Sequence, residues 1–336
     1  MPEEMDLEEV YGNNAYRSDA IPKQKPMEEK GRIAKAVEAG DFLERLPWGN
    51  YSGLEASVKP EHVEGYQTRI NEHKSFFEGS AWTHLQKPKD MIKGRWQILL
   101  QLAGSFADKG LFKAIMACVV LAPIFLYVVE GQVEYLFAGL KFIFGAIVLH
   151  LFFRFPFVWV LERNPSLIMK DLGCGYFRAT GMVKFRTWRE QTFEAPFIEF
   201  DPYISFQTLP NAAVTYKLLL QHRYSGWQTT VIKVGQANKA ELYAHWDQLQ
   251  RYMDVTQPLP DIPDLEPYRS KDPTTAAFDA AGKRGRPDDY WLTLDLNGWK
   301  SEGYPAHLKK IREFPWDTLE DKMEASVPNL REAAMV

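Results

Sequence analysis

Cysteine is almost absent from this sequence, which contains only Cys118 and Cys174. Two cysteines cannot form the set of disulfides that holds a small secreted scaffold together, nor a multi-cysteine metal site. Residues 1–6 are acidic, whereas a secretory signal begins with basic residues and continues as an apolar run. We therefore expect the globular parts to lie in a reducing compartment, without a cleaved export signal.

Motifs that carry catalytic or cofactor chemistry are also missing. The sequence has no glycine-rich phosphate loop followed by Lys and Ser or Thr, no His-Glu-x-x-His pattern, no Cys-x-x-Cys pair and no Gly-x-Ser-x-Gly turn. Gly173 and Gly175 flank Cys174, but the third glycine of a dinucleotide fingerprint is absent. We predict that the chain is not an enzyme and binds no cofactor or metal ion.

Charge of one sign is not in excess, because 40 Lys and Arg face 44 Asp and Glu residues in a chain of 336. The basic residues form no block that would line a nucleic-acid groove, so nucleic acid is not expected as a partner. What the sequence does have is 46% hydrophobic and 14% aromatic residues. That content is sufficient for a packed core and predicts globular parts.

Two long apolar runs follow each other in the middle of the chain. Residues 111–129 contain one charge, Lys113, near their edge, and residues 135–153 contain Lys141 and His150 as their only strongly polar members. About 20 apolar residues span a bilayer as a helix. We predict a two-helix transmembrane hairpin over residues 111–161, with the lipid bilayer as its partner. The alternative is a buried hairpin in the core of a soluble protein.

The distribution of positive charge predicts the orientation of this hairpin. Lys and Arg residues occur before or at the start of the first run and after the second, and the connection between the runs has only Glu130 and Glu134 as charged residues. The positive residues are Lys87, Lys89, Lys93, Arg95, Lys109, Lys113, Arg154, Arg163, Lys170 and Arg178. Because positive flanks stay on the cytoplasmic side, we expect a multi-pass protein with both termini in the cytoplasm.

Polar residues within the two runs are candidates for function. Lys141 and His150 are ionisable groups that lipid makes costly, so an ion or proton path is one interpretation. The alternative is that Lys141 extends to the interface while His150 sits at the opposite boundary. Small residues at Ala114, Cys118 and Ala122 form a stripe that would let the second helix or another subunit approach closely, and the candidate partners on the second helix are Gly145 and Ala146. A homo-oligomer is a possible assembly.

Outside the hairpin we predict four further regions. They are a mostly disordered tail at 1–60, a helical juxtamembrane region at 61–110, a cytoplasmic antiparallel β domain ending in a helix at 165–256, and a proline- and aromatic-rich extension at 257–336. The tail has one helical pattern, at 29–46. Repeated prolines at the start of the extension prevent a long helix there.

Short aromatic and β-branched segments predict the strands of the β domain. They are residues 182–188, 192–200, 203–208, 213–222 and 227–234. A helix is then expected to begin at Asn238, which would serve as its N-cap, and to end near Asp254. The predicted class is therefore an α+β membrane protein, whose small antiparallel β domain is closed by a C-terminal helix and is pleckstrin-homology-like by analogy.

One polar and aromatic cluster marks a candidate partner-binding site at a hairpin turn, namely His222, Arg223, Tyr224 and Trp227. The basic residues would bind an anionic group at the tip of the turn. The alternative is an ordinary turn, in which Gly226 supplies the positive φ and its neighbours pack locally.

Several motifs in the second half of the chain carry a family resemblance. They are LQHRYSG at 220–226, WDQLQRYMD at 246–254, QPLPDIPDLEPYR at 257–269, DPTT at 272–275 and GRP at 285–287. With the apolar hairpin, these motifs resemble an uncharacterised family of bacterial two-pass inner-membrane proteins encoded near type VI secretion effectors. No catalytic residue comes with the resemblance.

This resemblance implies a role beside a secreted toxin. The first interpretation is an immunity protein of the inner membrane that protects the producing cell by binding a cognate toxin directly. The second is a membrane-anchored adaptor or chaperone that holds an effector protein for loading. We expect the first, because an anchor fixes the protein at the place where a membrane-attacking toxin acts.

Overall fold

The computed structural model describes residues 10–26, 42–72, 109–157, 159, 173–187, 191–208, 214–232, 236 and 238–328. Contacts divide the chain into two units, each considered by itself below. The globular unit comprises residues 1–86 and 173–336, and the hairpin unit comprises residues 87–172. Most of the predicted juxtamembrane region, residues 73–108, lies outside the described residues.

The described residues contain seven strands, eight helices and several short turns. The strands are β1 Phe42–Arg45, β2 Gly175–Phe177, β3 Met182–Arg186, β4 Thr192–Pro196, β5 Phe200–Thr208, β6 Val214–His222 and β7 Gln228–Thr230. The helices are α1 Pro60–Asn71, α2 Lys109–Glu130, α3 Glu134–Phe152, α4 Lys239–Met253, α5 Pro273–Ala280, α6 Tyr290–Thr293, α7 Leu296–Gly298 and α8 Tyr304–Glu313. Three-residue or longer 3-10 turns cover Phe197–Glu199, Pro263–Lys271 and Trp316–Thr318, and π-type turns cover Phe153–Phe157 and Trp299–Gly303.

The strands form two antiparallel sheets, which confirms the mixed α and β class. One sheet has the order β1-β5-β6-β7 and the other has the order β2-β3-β4. Ile204 of β5 lies opposite Leu218 of β6, and both side chains are fully buried. The predicted meander is thus divided between β4 and β5, where a 3-10 turn separates the two sheets.

Helix α4 packs on the larger sheet as its sequence predicts. The Asn238 side chain accepts a hydrogen bond from the Ala240 backbone N–H at 2.8 Å, which confirms the predicted N-cap. Leu242, Trp246 and Leu249 recur at helical spacing and are buried in the core with residues of β5 and β6. Closure into a split barrel of the pleckstrin-homology type stays a prediction.

The described part of the predicted N-terminal tail is folded, which corrects the prediction of disorder over residues 1–60. Residues 42–45 form strand β1, paired with β5, where the pattern predicted the end of a helix. Leu46 and Trp48 are fully buried in the same core as α4. Residues 29–41 of the predicted helix lie outside the described residues. This described part folds because side chains such as Trp48 pack on Phe197 and Trp246, more than 100 residues away.

Residues 47–58, here called the strap, cover the polar face of α4. Backbone N–H groups of the strap donate to side chains of the helix: Gly49 to Gln250 at 2.8 Å, Ser52 to Asp247 at 2.6 Å and Ser57 to Gln248 at 2.8 Å. These polar helix residues are therefore buried rather than exposed to solvent. The strap satisfies their hydrogen bonds, as burial requires.

The C-terminal extension belongs to the same core and is not a separate domain. Ile262, Trp291 and Met323 are buried with the residues of the sheets and α4. Asp261 of the proline-rich segment accepts hydrogen bonds from Arg284 and from the Trp291 indole N–H at 2.9 Å. These contacts hold the extended segment against the globular unit.

The hairpin unit consists of α2 and α3, which pack against each other across a short connection at residues 131–133. They are in tight contact at Gly139 of α3, where an added Cβ would lie 2.6 Å from Pro123 of α2. Of the described residues, Glu134–Phe157 is the one helical stretch that is long and apolar enough to cross a membrane. It has 24 residues, counting the π-type turn that follows α3.

Candidate functional site

The turn between β6 and β7 is built by hydrogen bonds within the backbone. The His222 N–H donates to the Trp227 carbonyl at 2.7 Å, and the Gly226 N–H donates to the His222 carbonyl at 2.9 Å. Gly226 has a φ of 68°, a conformation in which glycine is favoured. The prediction of a turn here, with Gly226 at positive φ, is confirmed.

Arg223 is buried inside the globular unit and does not extend from the tip of the turn. Its guanidinium donates two hydrogen bonds to Asp201, at 2.9 and 2.8 Å, and both side chains are fully buried. Arg45 of β1 also binds Asp201, at 2.8 Å, and contacts Asp321 near the C-terminus. We call Arg45, Asp201, Arg223 and Asp321 the ion cluster.

The electrostatics of the ion cluster are set by two opposing effects. Burial by itself would raise the pKa of Asp201, but the adjacent Arg45 and Arg223 guanidiniums lower that pKa below its usual value. Asp201 is therefore ionised, and its charge is shared between the two arginines. The cluster links β1, β5, the 222–227 turn and the C-terminal segment.

His222 is likewise held by internal contacts. Its Nδ1 accepts the Ser225 backbone N–H at 3.1 Å and lies 2.8 Å from the Ser225 hydroxyl. Because Nδ1 is an acceptor, Nε2 carries the proton and donates to the Glu199 carboxylate at 2.9 Å. The ring also packs edge-on against Phe193 and Phe200, with centroids 5.0 and 5.3 Å away.

A hydrogen-bonded series in the order of a catalytic triad connects Ser225, His222 and Glu199. The backbone N–H groups around it, however, form hydrogen bonds within the turn. The Gly226 N–H is bonded to the His222 carbonyl, and the Trp227 N–H donates to the Ser225 hydroxyl at 3.3 Å. Neither N–H is directed at an oxyanion beside the serine, as acyl transfer requires. The three side chains therefore anchor the turn.

Tyr224 and Trp227 are the predicted site residues that remain partly accessible. Both side chains are half-buried, and Ser225 between them is exposed. The Tyr224 hydroxyl donates to the Lys25 carbonyl at 3.2 Å, which ties the turn to the N-terminal segment. A partner at this turn would therefore contact Tyr224, Ser225 and Trp227 rather than His222 and Arg223.

The two predicted intramembrane residues occupy different environments on α3. Lys141 is exposed and lines an open groove of about 700 Å³, together with Glu134 and apolar side chains. His150 is half-buried in the last turn of the helix. The structure does not bring them together, because they lie nine positions apart along α3. Glu134 also lines this groove, although the sequence predicted only a flanking charge at this position.

The predicted small-residue pairing also differs from the observed one. Gly145 has open space beside it, since an added Cβ would meet no atom within 4 Å. The tight contact between α2 and α3 is instead made by Gly139 and Pro123. Gly145 and Ala146 line the groove.

Comparison of this chain with protein-family models, with curated proteins and with solved structures gives no match. Among the described residues, no group of three or more His, Cys, Asp or Glu side chains is arranged to hold a metal ion. The hairpin, the groove and the accessible part of the turn are therefore the features from which we infer a function.

Proposed function

We propose that the hairpin crosses a membrane twice, through α2 and α3. The observation that carries this proposal is the exposure of large apolar side chains on all sides of the two helices. Phe142 is 71% exposed and Phe144 is 70% exposed, and two residues of separation place them on nearly opposite sides of α3. Phe125 of α2 is 66% exposed. A helix that is apolar all round is stable when lipid surrounds it.

The charges at the ends of the hairpin support an orientation with both termini in the cytoplasm. Lys109 begins α2 and Arg154 follows α3, whereas Glu130 and Glu134 border the connection, which has no Lys or Arg. Positive flanks are retained on the cytoplasmic side during insertion. The globular unit would then face the cytoplasm, with its β domain closed by α4 in the manner of a pleckstrin-homology domain.

The function that we propose is immunity. The chain resembles bacterial inner-membrane proteins encoded near type VI secretion effectors, in the motifs at 220–226 and 257–269. An anchored globular unit fixes a binding surface at the membrane, where a toxin that attacks the membrane acts. The protein would protect the producing cell by direct binding of a cognate toxin.

The accessible part of the 222–227 turn is the surface that we assign to the toxin. Tyr224 and Trp227 are half-buried aromatic side chains on either side of exposed Ser225. Aromatic anchors of this kind supply much of the binding energy at protein interfaces. His222 and Arg223 support them from inside the unit.

Co-expression with the toxin encoded beside the gene tests this proposal. Wild-type protein is expected to restore growth, and a Tyr224→Ala, Trp227→Ala double variant is expected to lose protection while remaining in the membrane fraction. Phe206→Ala is the matched control, because Phe206 is an aromatic residue of the same sheet that is 45% exposed. Cells that carry wild-type protein yet stay as sensitive as cells with an empty vector would exclude immunity.

The adaptor interpretation predicts a different outcome of a second experiment. If the protein loads an effector, deletion of its gene should abolish secretion of that effector and leave the sensitivity of the cell unchanged. Unchanged secretion with increased sensitivity supports immunity instead.

A further inference from the structure

The groove on α3 has the dimensions of a binding site for a slender ligand. Its volume is about 700 Å³, and Val119 of α2 contributes to its lining. Gly145 and Ala146 leave room at its floor, and a Cβ added at Gly145 would meet no atom within 4 Å. Phe137 and Phe142 line it as apolar walls. An extended hydrocarbon chain fits such a surface, because small residues permit close approach.

The charges along the groove have a definite order. Glu134 begins α3 and therefore lies at the end of the apolar span, where water begins. Lys141 lies on the same side of the helix, two turns deeper, at about 10 Å along the axis. Helical side chains lean toward the N-terminus, so the Lys141 ammonium is displaced toward Glu134. Among the described residues, no ion pair involves Lys141.

A lysine in an apolar groove is expected to bind an anionic group that comes from outside the hairpin. An unpaired charge at membrane depth is costly, and a phosphate at Lys141 would remove that cost. The carboxylate of Glu134 then lies above the phosphate, nearer to water. A negative group at this rim repels an anionic headgroup and attracts a positive one.

We propose that the groove binds one phospholipid with a primary ammonium headgroup, such as phosphatidylethanolamine. The phosphate contacts Lys141, the ammonium contacts Glu134, and an acyl chain lies along Phe142, Gly145 and Leu149. The charge order of the headgroup, with phosphate inside and ammonium outside, matches that of the groove. This inference rests on the proposed membrane insertion but needs no assumption about which side is the cytoplasm.

Native mass spectrometry of the full chain in a mild detergent tests the assignment. With equal amounts of phosphatidylethanolamine and phosphatidylglycerol, we expect one retained lipid per chain and a preference of about fivefold for the ethanolamine lipid. Lys141→Gln should lower retention of both lipids. Glu134→Gln should remove the preference and leave both lipids retained equally.

Two further variants separate the charge effect from the shape of the groove. Glu130→Gln removes a carboxylate at the end of α2 that does not line the groove, and it should leave the preference unchanged. Gly145→Leu fills the groove without changing its charges, and it should displace the lipid. Equal retention by wild type, Lys141→Gln and Gly145→Leu would overturn the inference.

Other results of these experiments show whether the lipid assignment or the membrane proposal is wrong. A mass of two chains without lipid, lost in Gly145→Leu, would show that a second copy occupies the groove. A chain that stays in membranes but retains both lipids equally contradicts the lipid assignment and leaves the membrane proposal intact. A chain that remains in the supernatant without detergent overturns the membrane proposal itself.

Discussion

At the scale of single residues, the ion cluster shows that an arginine predicted to bind a partner can instead form an ion pair inside the protein. Asp201 is fully buried between Arg45 and Arg223, and its carboxylate oxygens are used by both guanidiniums. A buried ion pair adds little net stability over apolar packing, but removal of one partner leaves a buried charge uncompensated. Arg223 is therefore required by the fold, whatever binds at the turn.

Replacement of Arg223 by Ala is expected to destabilise the protein by about 3–5 kcal/mol, because Asp201 would lose its bidentate partner. The midpoint of chemical denaturation, followed by tryptophan fluorescence, measures this change. Lys184→Ala is the control, since Lys184 pairs with Glu194 on the surface at 3.1 Å and should contribute at most about 1 kcal/mol. A folded Arg223→Ala protein with wild-type stability would contradict the buried role.

Because its pKa is lowered in the folded protein, Asp272 is expected to make the protein less stable in acid. Burial would raise the pKa of Asp272, but the Arg178 guanidinium and hydrogen bonds from Thr275 lower it below its usual value. A carboxyl whose pKa is lowered on folding stabilises the protein above its unfolded pKa of about 4, and that stability is lost as the pH falls further.

Asp272→Asn provides the comparison for this pH effect. Asparagine keeps the N-cap acceptor of α5 but has no titrating carboxyl. Denaturation midpoints measured between pH 7 and about pH 3 should therefore fall less steeply in the variant than in wild type. Parallel pH profiles of the two proteins would show that Asp272 does not carry the acid response.

At the scale of elements, local patterns predicted helix α4 and strands β3 to β7, while distant contacts decided the rest, including strand β1. Asn238 and the spacing of Leu242, Trp246 and Leu249 are local signals, and the helix follows them. The polar residues of α4 look solvent-exposed in the sequence. Their partners in the strap lie 191 to 201 positions away, so no local pattern could reveal that the strap buries them.

The same limit applies to the candidate site. The turn at 222–227 was predictable because Gly226 and its neighbours are local turn signals. Burial of Arg223 depends on Asp201, 22 positions earlier, and on Arg45 in a segment with no strand signal of its own. Only a fold that brings these segments together distinguishes an internal arginine from an exposed one.

The contact between α2 and α3 makes a prediction for the hairpin. Gly139→Leu should separate the helices locally, because even an added Cβ would lie 2.6 Å from Pro123. The expected loss is about 1–3 kcal/mol, as for other overpacked contacts. Titration with a denaturing detergent, followed by circular dichroism, measures it. Gly145→Leu is the matched control once bound lipid has been removed from both proteins, and it should then unfold at the same detergent concentration as wild type, since Gly145 has open space beside it.

At the scale of the whole molecule, the chain combines two units whose surfaces suit different solvents. The globular unit buries its aromatic residues and satisfies its charges internally, as Trp48 and Asp201 illustrate. The hairpin unit exposes apolar side chains such as Phe142 and Phe144. Water stabilises the first arrangement by hydrophobic burial, and lipid is the solvent that suits the second.

Cysteine labelling in cells tests the topology that follows from this difference. In a background where Cys118 and Cys174 are replaced by Ser, we would introduce Gln132→Cys in the hairpin connection or Lys309→Cys at an exposed position of helix α8. A maleimide that cannot cross the inner membrane should label Gln132→Cys in intact cells and Lys309→Cys only after lysis, because positive flanks stay inside. The reverse pattern would mean that the globular unit is exported. Protection of both positions until lysis would mean that the hairpin enters the bilayer without crossing it.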